Sequence, residues 1–348
     1  MKQRFSSLDV KVGQNFCRSK LALKSLSQVI AKELSATLTG LRVSNIYDLS
    51  SRIFLFKFAK PGTKEQLLVD SGFRCHLTNF GRTTLGAPTV FVSKLRKYLK
   101  SRRVTSVSQI GTDRVIEVNF SDGQYRLFLE FFAAGNILLT DKDYNILLLL
   151  RNVSEGREDV DVRTGIAYPI TAKQQYSGVK TLSEQHVTDS LRDWAEKVDG
   201  TAKVASKNSG KKNANDLKRA LTSTFPHFPN HLLDDCFQRV AFDGTSKPAD
   251  ILKDIQLLSD LMKALQFSNH IFQSLGEEVK TTGYIIAKSK GVESESQQGE
   301  SPSEKAIPSR DKLLYEDFHP FRPAQFEGKP GIHVLEIEGF NKTADEFY

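Results

Sequence analysis

This sequence predicts an α+β protein in which antiparallel sheet comes first and a smaller all-helical region follows, and three observations carry that prediction. Between residues 41 and 151, short segments rich in β-branched, aromatic and other apolar residues succeed one another at turn-length spacing. The clearest pair, Val115 to Phe120 and Tyr125 to Phe132, flanks Ser121-Asp122-Gly123, which is turn chemistry for a β-hairpin. Beyond residue 213 the pattern becomes helical and is punctuated by proline.

Taken in order, Leu8 to Leu38 is helical in composition but irregular. Strands are predicted at 41–47, 52–58, 66–70 and 73–78, then a helix at 90–100, the hairpin at 114–132, and a strand pair at 136–140 and 145–151. Residues 1–170 are therefore expected to form one α+β domain. Residues 171–213 are polar, and GTAKVASKNSGKKN at 200–213 has no apolar period, so this stretch is expected to be a linker. A helical domain is expected at 214–280: Asp216 to Thr224 and Asn230 to Val240 flank Phe225-Pro226-His227-Phe228-Pro229, whose prolines stop one helix and start the next, and a longer helix covers 248–280. Such a pair is either a helix-hairpin-helix or a plain αα-hairpin. A phosphate-binding hairpin calls for glycine at its turn, and proline stands there instead. In the returning segment 281–348, residues 289–310 are expected to be disordered and Ile332 to Ile337 alternates as a strand.

Composition sets outer bounds. With 348 residues, 39% hydrophobic and 26% charged, the chain has room for two or three domains. Its 49 basic and 41 acidic residues give +8, which favours a polyanionic partner and leaves RNA, DNA and anionic membrane open. Cys17, Cys75 and Cys236 are widely spaced, with no CxxC and no histidine cluster, as expected of free thiols in a reducing compartment. No apolar run reaches membrane-spanning length and MKQRFSSLDV offers no secretory core, so a cytoplasmic protein is expected, a nuclear one being compatible. Phosphate-loop, zinc-protease and nucleophile-elbow signatures are absent and the histidines are scattered, His319 fitting a structural turn between aromatic anchors. No enzymatic activity, cofactor or metal is expected.

Two features suggest binding. Lys94, Arg96, Lys97, Lys100, Arg102 and Arg103 crowd into ten residues with no interleaved acid. Continued as a helix, 95, 98, 99 and 102 would share an apolar side and the remaining cations an outer face suited to neutralising phosphates. A solvated helix face is the plainer reading, but the excess of one sign favours RNA. Asp113-Arg114 precedes the first hairpin strand, at a sheet end where side chains can project toward a partner; by spacing alone the pair is equally a solvated one.

Read together, MKQRFSSLD, LRVSNIYDLSSRIFLFKF at 41–58, the basic run, Asp113-Arg114, LEFFAAGNILLTD at 129–141, GYIIAK at 283–288, YEDFHPF at 315–321 and NKTADEFY at 341–348 closely resemble, in order, the N-terminal region of the NEMF family of ribosome quality control subunits. That resemblance implies an NFACT-type α+β domain similar in fold to the N-terminal domain of Fpg/Nei glycosylases, followed by a helix-hairpin-helix-like domain. It implies binding of aminoacyl-tRNA, with Asp9, Asp113 and Arg114 at the matching positions, and of the large ribosomal subunit carrying peptidyl-tRNA. The protein would position tRNA for C-terminal (CAT) tailing of stalled chains, the ribosome itself performing the transfer. A non-catalytic interaction scaffold is the alternative. Glycosylase activity is not implied, because residue 2 is Lys where those enzymes need proline, and the adhesion role attributed to a bacterial relative lacks an export signal here. Two departures stand out. Residues 13–29 have no counterpart in the family pattern and read as a translated intron or a mispredicted exon boundary; a genuine insert would interrupt the first helix and disturb the packing of Asp9. The chain also stops where the family continues into a coiled coil, so it is expected to be a fragment, without the region that contacts the E3 ubiquitin ligase.

Overall fold

The computed structural model describes residues 23–82, 86–153, 162–172, 180–202, 216–277, 281–289 and 310–348. The chain divides into two compact units, with the boundary between Val179 and Lys180.

The first unit opens with α1 (Leu23–Leu38) and a four-stranded antiparallel meander, β1 (Arg42–Asp48), β2 (Ile53–Lys60), β3 (Thr63–Asp70) and β4 (Arg74–Leu77). The two-residue period of a strand puts Phe54, Phe56 and Phe58 of β2 on one buried face. Helix α2 (Val90–Leu99) follows, then a five-stranded meander, β5 (Val104–Gln109), β6 (Val115–Phe120), β7 (Tyr125–Glu130), β8 (Asn136–Asp141) and β9 (Ile146–Leu149). The meanders join at a corner where the Gly40 amide donates to the Val104 carbonyl at 2.8 Å and the Val43 amide to the Arg102 carbonyl at 3.0 Å. α1 lies against β4, β5 and β6, and α2 against β1 and β9.

The second unit contains α3 (Glu184–Ala202), α4 (Asp216–Thr224), α5 (Asn230–Arg239), α6 (Pro248–Ile251), α7 (Ile255–Glu277), β10 (Gly283–Ser289), β11 (Leu313–His319), β12 (Ile332–Ile337) and α8 (Phe340–Phe347). β10 is the middle strand of a three-stranded antiparallel sheet. Between α4 and α5, Phe225, His227 and Phe228 are buried, so the proline-rich turn is a core element. The segment after β11 is tied to α5 by Asp235, which bonds Arg239 Nε at 2.8 Å and accepts from the Ala324 amide, while Arg239 also donates to the Arg322 carbonyl at 2.7 Å.

Several expectations are corrected. α1 runs unbroken through residue 29, with Ser27, Val29 and Ile30 buried together, so the end of the supposed insert is part of a packed helix; residues 13–22 lie outside the described residues. β5 occupies a stretch given no element, because VTSVSQ is half polar and its strand character comes from pairing with β6. The expected linker contains α3, which Val187 and Leu191, spaced i and i+4, bury on one side. The helix at 248–280 is two, since the Asp254 carboxylate accepts from the Gln256 and Leu257 amides and starts α7 afresh. β10 and β11 were not singled out as strands. Of the segment expected to be disordered, 290–309 lies outside the described residues, while Ser289 and Arg310 fall in regular elements. Among the described residues no helix is long and apolar enough to cross a membrane.

Candidate nucleic-acid interface

Asp113-Arg114 sits where a short turn delivers the chain into β6. The Asp113 amide donates to the Ile110 carbonyl at 3.0 Å, Gln109 Nε2 donates to the Asp113 carbonyl at 2.7 Å, and Asp113 Oδ1 accepts from the Arg114 amide at 2.8 Å. These bonds tie Gln109, Ile110, Asp113 and Arg114 to one another across the turn, and the Asp113 and Arg114 side chains keep part of their surface in solvent. Partial burial draws the Arg114 guanidinium below its ordinary pKa, and the Asp113 carboxylate beside it acts the other way. From below the turn is braced by Tyr168, 3% exposed, whose hydroxyl donates to Glu130 Oε1 at 2.8 Å and whose ring meets Phe128 at 4.4 Å. Burial, then Glu130 and Asp113, push the Tyr168 phenol well above its usual pKa, so it stays a donor. Ile110, Val115, Phe128, Leu138, Ile146 and Tyr168 form the core beneath.

The basic run is not the single helical face expected. α2 stops at Leu99, and Ser101 at φ +65° turns the chain into β5, so Lys100, Arg102 and Arg103 lie on the helix exit. Arg96 does not face outward: its Nε donates to the Ile46 carbonyl at 2.7 Å and its guanidinium lies over the Tyr47 ring at 5.2 Å. Arg102 likewise covers Tyr125 at 5.1 Å and donates to Gln124 Oε1 at 2.9 Å. Arg103 meets Asp122 at 3.5 Å. Lys94, Lys97 and Lys100 are exposed, and among the described residues none of them has an ion pair. The run is anchored by the Asp48 carboxylate, 3% exposed, which accepts from the Thr89 amide at 2.8 Å and hydroxyl at 2.9 Å while Thr89 caps α2.

The surface is therefore cationic and aromatic at once. Lys57 lies over Tyr47 at 5.1 Å, and Tyr98 meets Tyr125 at 5.7 Å. Sequence reasoning missed Tyr47, Lys57 and Tyr125. Only the register of β1 on β2, which pairs Tyr47 with Leu55 and Asn45 with Lys57, makes Tyr47 and Lys57 diagonal neighbours. Asp9 lies outside the described residues. No group of three or more His, Cys, Asp or Glu side chains could hold a metal ion among the described residues.

This combination of two antiparallel meanders and a second unit of helices and a three-stranded sheet recurs in a solved structure titled as the fibrinogen-binding protein from Staphylococcus aureus, which overlays 93% of this chain and 98% of its own with a TM-score of 0.56 at 17% identity. The likeness defines the class of fold. Residues 26–204 match the family described as NFACT N-terminal and middle domains, and the chain belongs to that family. Among curated relatives, ribosome quality control complex subunit 2 of Schizosaccharomyces pombe is 33% identical over all of this chain and 34% of its own length, and human ribosome quality control complex subunit NEMF is 33% identical over all of this chain and 28% of its own. The chain spans about a third or less of these relatives.

Proposed function

We propose that this chain is the tRNA- and large-subunit-binding part of a ribosome quality control protein, one that positions aminoacyl-tRNA for C-terminal tailing of stalled chains and carries out no group transfer itself. The names of its relatives support the process. The observation that carries the RNA reading is the exposed trio Lys94, Lys97 and Lys100, without acidic partners among the described residues, beside arginines held on tyrosine rings. Such cations neutralise phosphates, and fixed aromatic and guanidinium planes suit splayed single-stranded bases. Asp113 accepts from exocyclic amines in this reading and Arg114 forks to a base edge or phosphate. A cytoplasmic location, a helix-hairpin-helix-like fold for α4 and α5 without phosphate contact at their buried turn, and cooperation with an E3 ubiquitin ligase belong to the same proposal.

The test is binding of the purified chain to bulk tRNA at low and moderate salt, beside Asp113→Ala/Arg114→Ala and Lys94→Gln/Lys97→Gln/Lys100→Gln. The lysine variant is expected to lower the slope of log affinity against log salt by roughly 0.7–0.9 per lost phosphate contact. The acid-base variant is expected to weaken binding at every salt. Salt-independent binding, or none, overturns the proposal and favours an interaction scaffold.

A further inference from the structure

Two hairpin tips in the first unit meet backbone to backbone. Gly72, in the β3–β4 turn, has φ +77°, and a Cβ placed on it would sit 2.7 Å from the carbonyl carbon and oxygen of Ala134. Gly135, closing the β7–β8 turn, has φ +71°, and a Cβ there would overlap the Gly72 backbone and come within 2.7 Å of the Ser71 carbonyl carbon. No other residue type fits either position.

Each side of this clasp carries an arginine on its carbonyl. Arg52 Nη2 donates to the Ser71 carbonyl at 2.8 Å, and Arg151 Nε to the Gly135 carbonyl at 2.6 Å. Arg151 is further fixed by Asn136, which accepts from its amide at 3.2 Å and donates to its carbonyl at 2.9 Å. A guanidinium has five donors, and each of these bonds uses one nitrogen, so both side chains are oriented while retaining terminal N–H groups. Arg52 is exposed and Arg151 partly so. The same turn reaches the acid-base pair, because the Phe131 amide donates to the Arg114 carbonyl at 2.8 Å. Ala133, at φ +49°, and Ala134 form the exposed tip between Phe131 and the clasp. Arg74 flanks the other tip, 4.0 Å from Asp70. The charged side chains gathered here are Arg52, Arg74, Arg114 and Arg151 against Asp70 and Asp113, an excess of cations on rigid backbone.

We infer that Arg52 and Arg151, held on the two faces of the Gly72–Gly135 clasp, form a phosphate-binding subsite that grips the sugar-phosphate backbone of RNA next to the base contacted by Asp113-Arg114. The inference rests on the RNA-binding reading proposed above and extends it to residues outside the basic run. Guanidinium forks match phosphate oxygens in pairs, and fixing them beforehand spares the ordering of two long side chains on binding. RNA is preferred over an acidic peptide because the β7–β8 turn that carries one half of the clasp is hydrogen-bonded through the Phe131 amide to Arg114 of the proposed base-reading pair, which puts successive subsites along one strand.

The experiment measures tRNA and short oligouridylate affinity across a salt series for wild type, Arg52→Gln, Arg151→Gln, their combination and Arg52→Lys, with thermal melting of each. A backbone role predicts that each Gln variant weakens binding several-fold and lowers the salt slope by about 0.7, additively, while Arg52→Lys keeps the wild-type slope. A purely structural brace would lower the melting temperature and leave the slope unchanged. Unchanged slopes with intact wild-type binding therefore overturn this inference alone, whereas failure of wild type to bind any RNA overturns the proposed function and the inference with it. Competition by polyglutamate as effective as by oligouridylate would reassign the subsite to an acidic protein segment.

Discussion

Acidification should destabilise the second unit through two enclosed histidines. The His231 and His319 rings lie 5.1 Å apart, His231 stacked on Phe321 at 5.8 Å and His319 flanked by Phe321 and Phe326. His319 is 1% exposed, and His231 is partly buried. Burial lowers the His319 pKa from 6.5 to about 4; burial, then repulsion from His319, lowers that of His231 to about 3. Both folded values are depressed, so the stabilisation is complete above the unfolded value of 6.5 and is lost as pH falls from there through about 4 and 3. Between pH 7 and pH 5 the unfolded chain takes up about three-quarters of a proton per histidine and the folded chain almost none, a loss of about 2 kcal/mol per histidine. Asp317, whose carboxyl burial raises and whose Oδ2 lies 3.6 Å from His319 Nε2, protonates more readily on acidification and works the other way, which trims the sum. The assay is urea unfolding at both pH values, read by fluorescence of Trp194, the chain's one tryptophan, which lies in α3 of the same unit. His319→Phe should remove about half of the pH dependence. Equal stability at pH 7 and pH 5, or a loss undiminished in His319→Phe, would refute the reasoning.

Three further outcomes follow from the first unit. Gly135→Ala should destabilise by about 2–4 kcal/mol, combining left-handed strain with overlap on Gly72, and calorimetry should show a lower melting temperature without a change in the core of the second unit. Asp48→Ala removes both acceptors of Thr89 and should cost about 1–3 kcal/mol in denaturant unfolding, with weaker tRNA binding because α2 loses its anchor. Tyr168→Phe removes the hydrogen bond to the buried Glu130 carboxylate and should destabilise by about 1.5–3 kcal/mol, seen as a lower urea midpoint at constant m-value; a midpoint within error of wild type would show that the bond adds nothing net.

The β6–β7 hairpin was legible because its information is local: alternating apolar residues on both sides of Ser121-Asp122-Gly123, where Ser121, Asp122 and Gly123 all take positive φ. The prolines between α4 and α5 were legible for the same reason. α3 and β5 were not, since the few apolar residues that α3 buries, Val187 and Leu191, sit in a polar helix, and a half-polar strand signals only through its partner.

The candidate site divides in the same way. The sequence alone determined that cations crowd into residues 94–103 and that an acid-base pair opens the hairpin, because charge and turn chemistry are properties of neighbouring residues. It could not determine which cations face solvent. That was decided by the Ile46 carbonyl, fifty residues from Arg96, and by Tyr47 and Tyr125, which hold two of the six inward and leave Lys94, Lys97 and Lys100 free to meet a partner. The Gly72–Gly135 clasp belongs wholly to the tertiary structure: two turns from different sheets meet within van der Waals distance, and only that meeting gives Arg52 and Arg151 a shared frame.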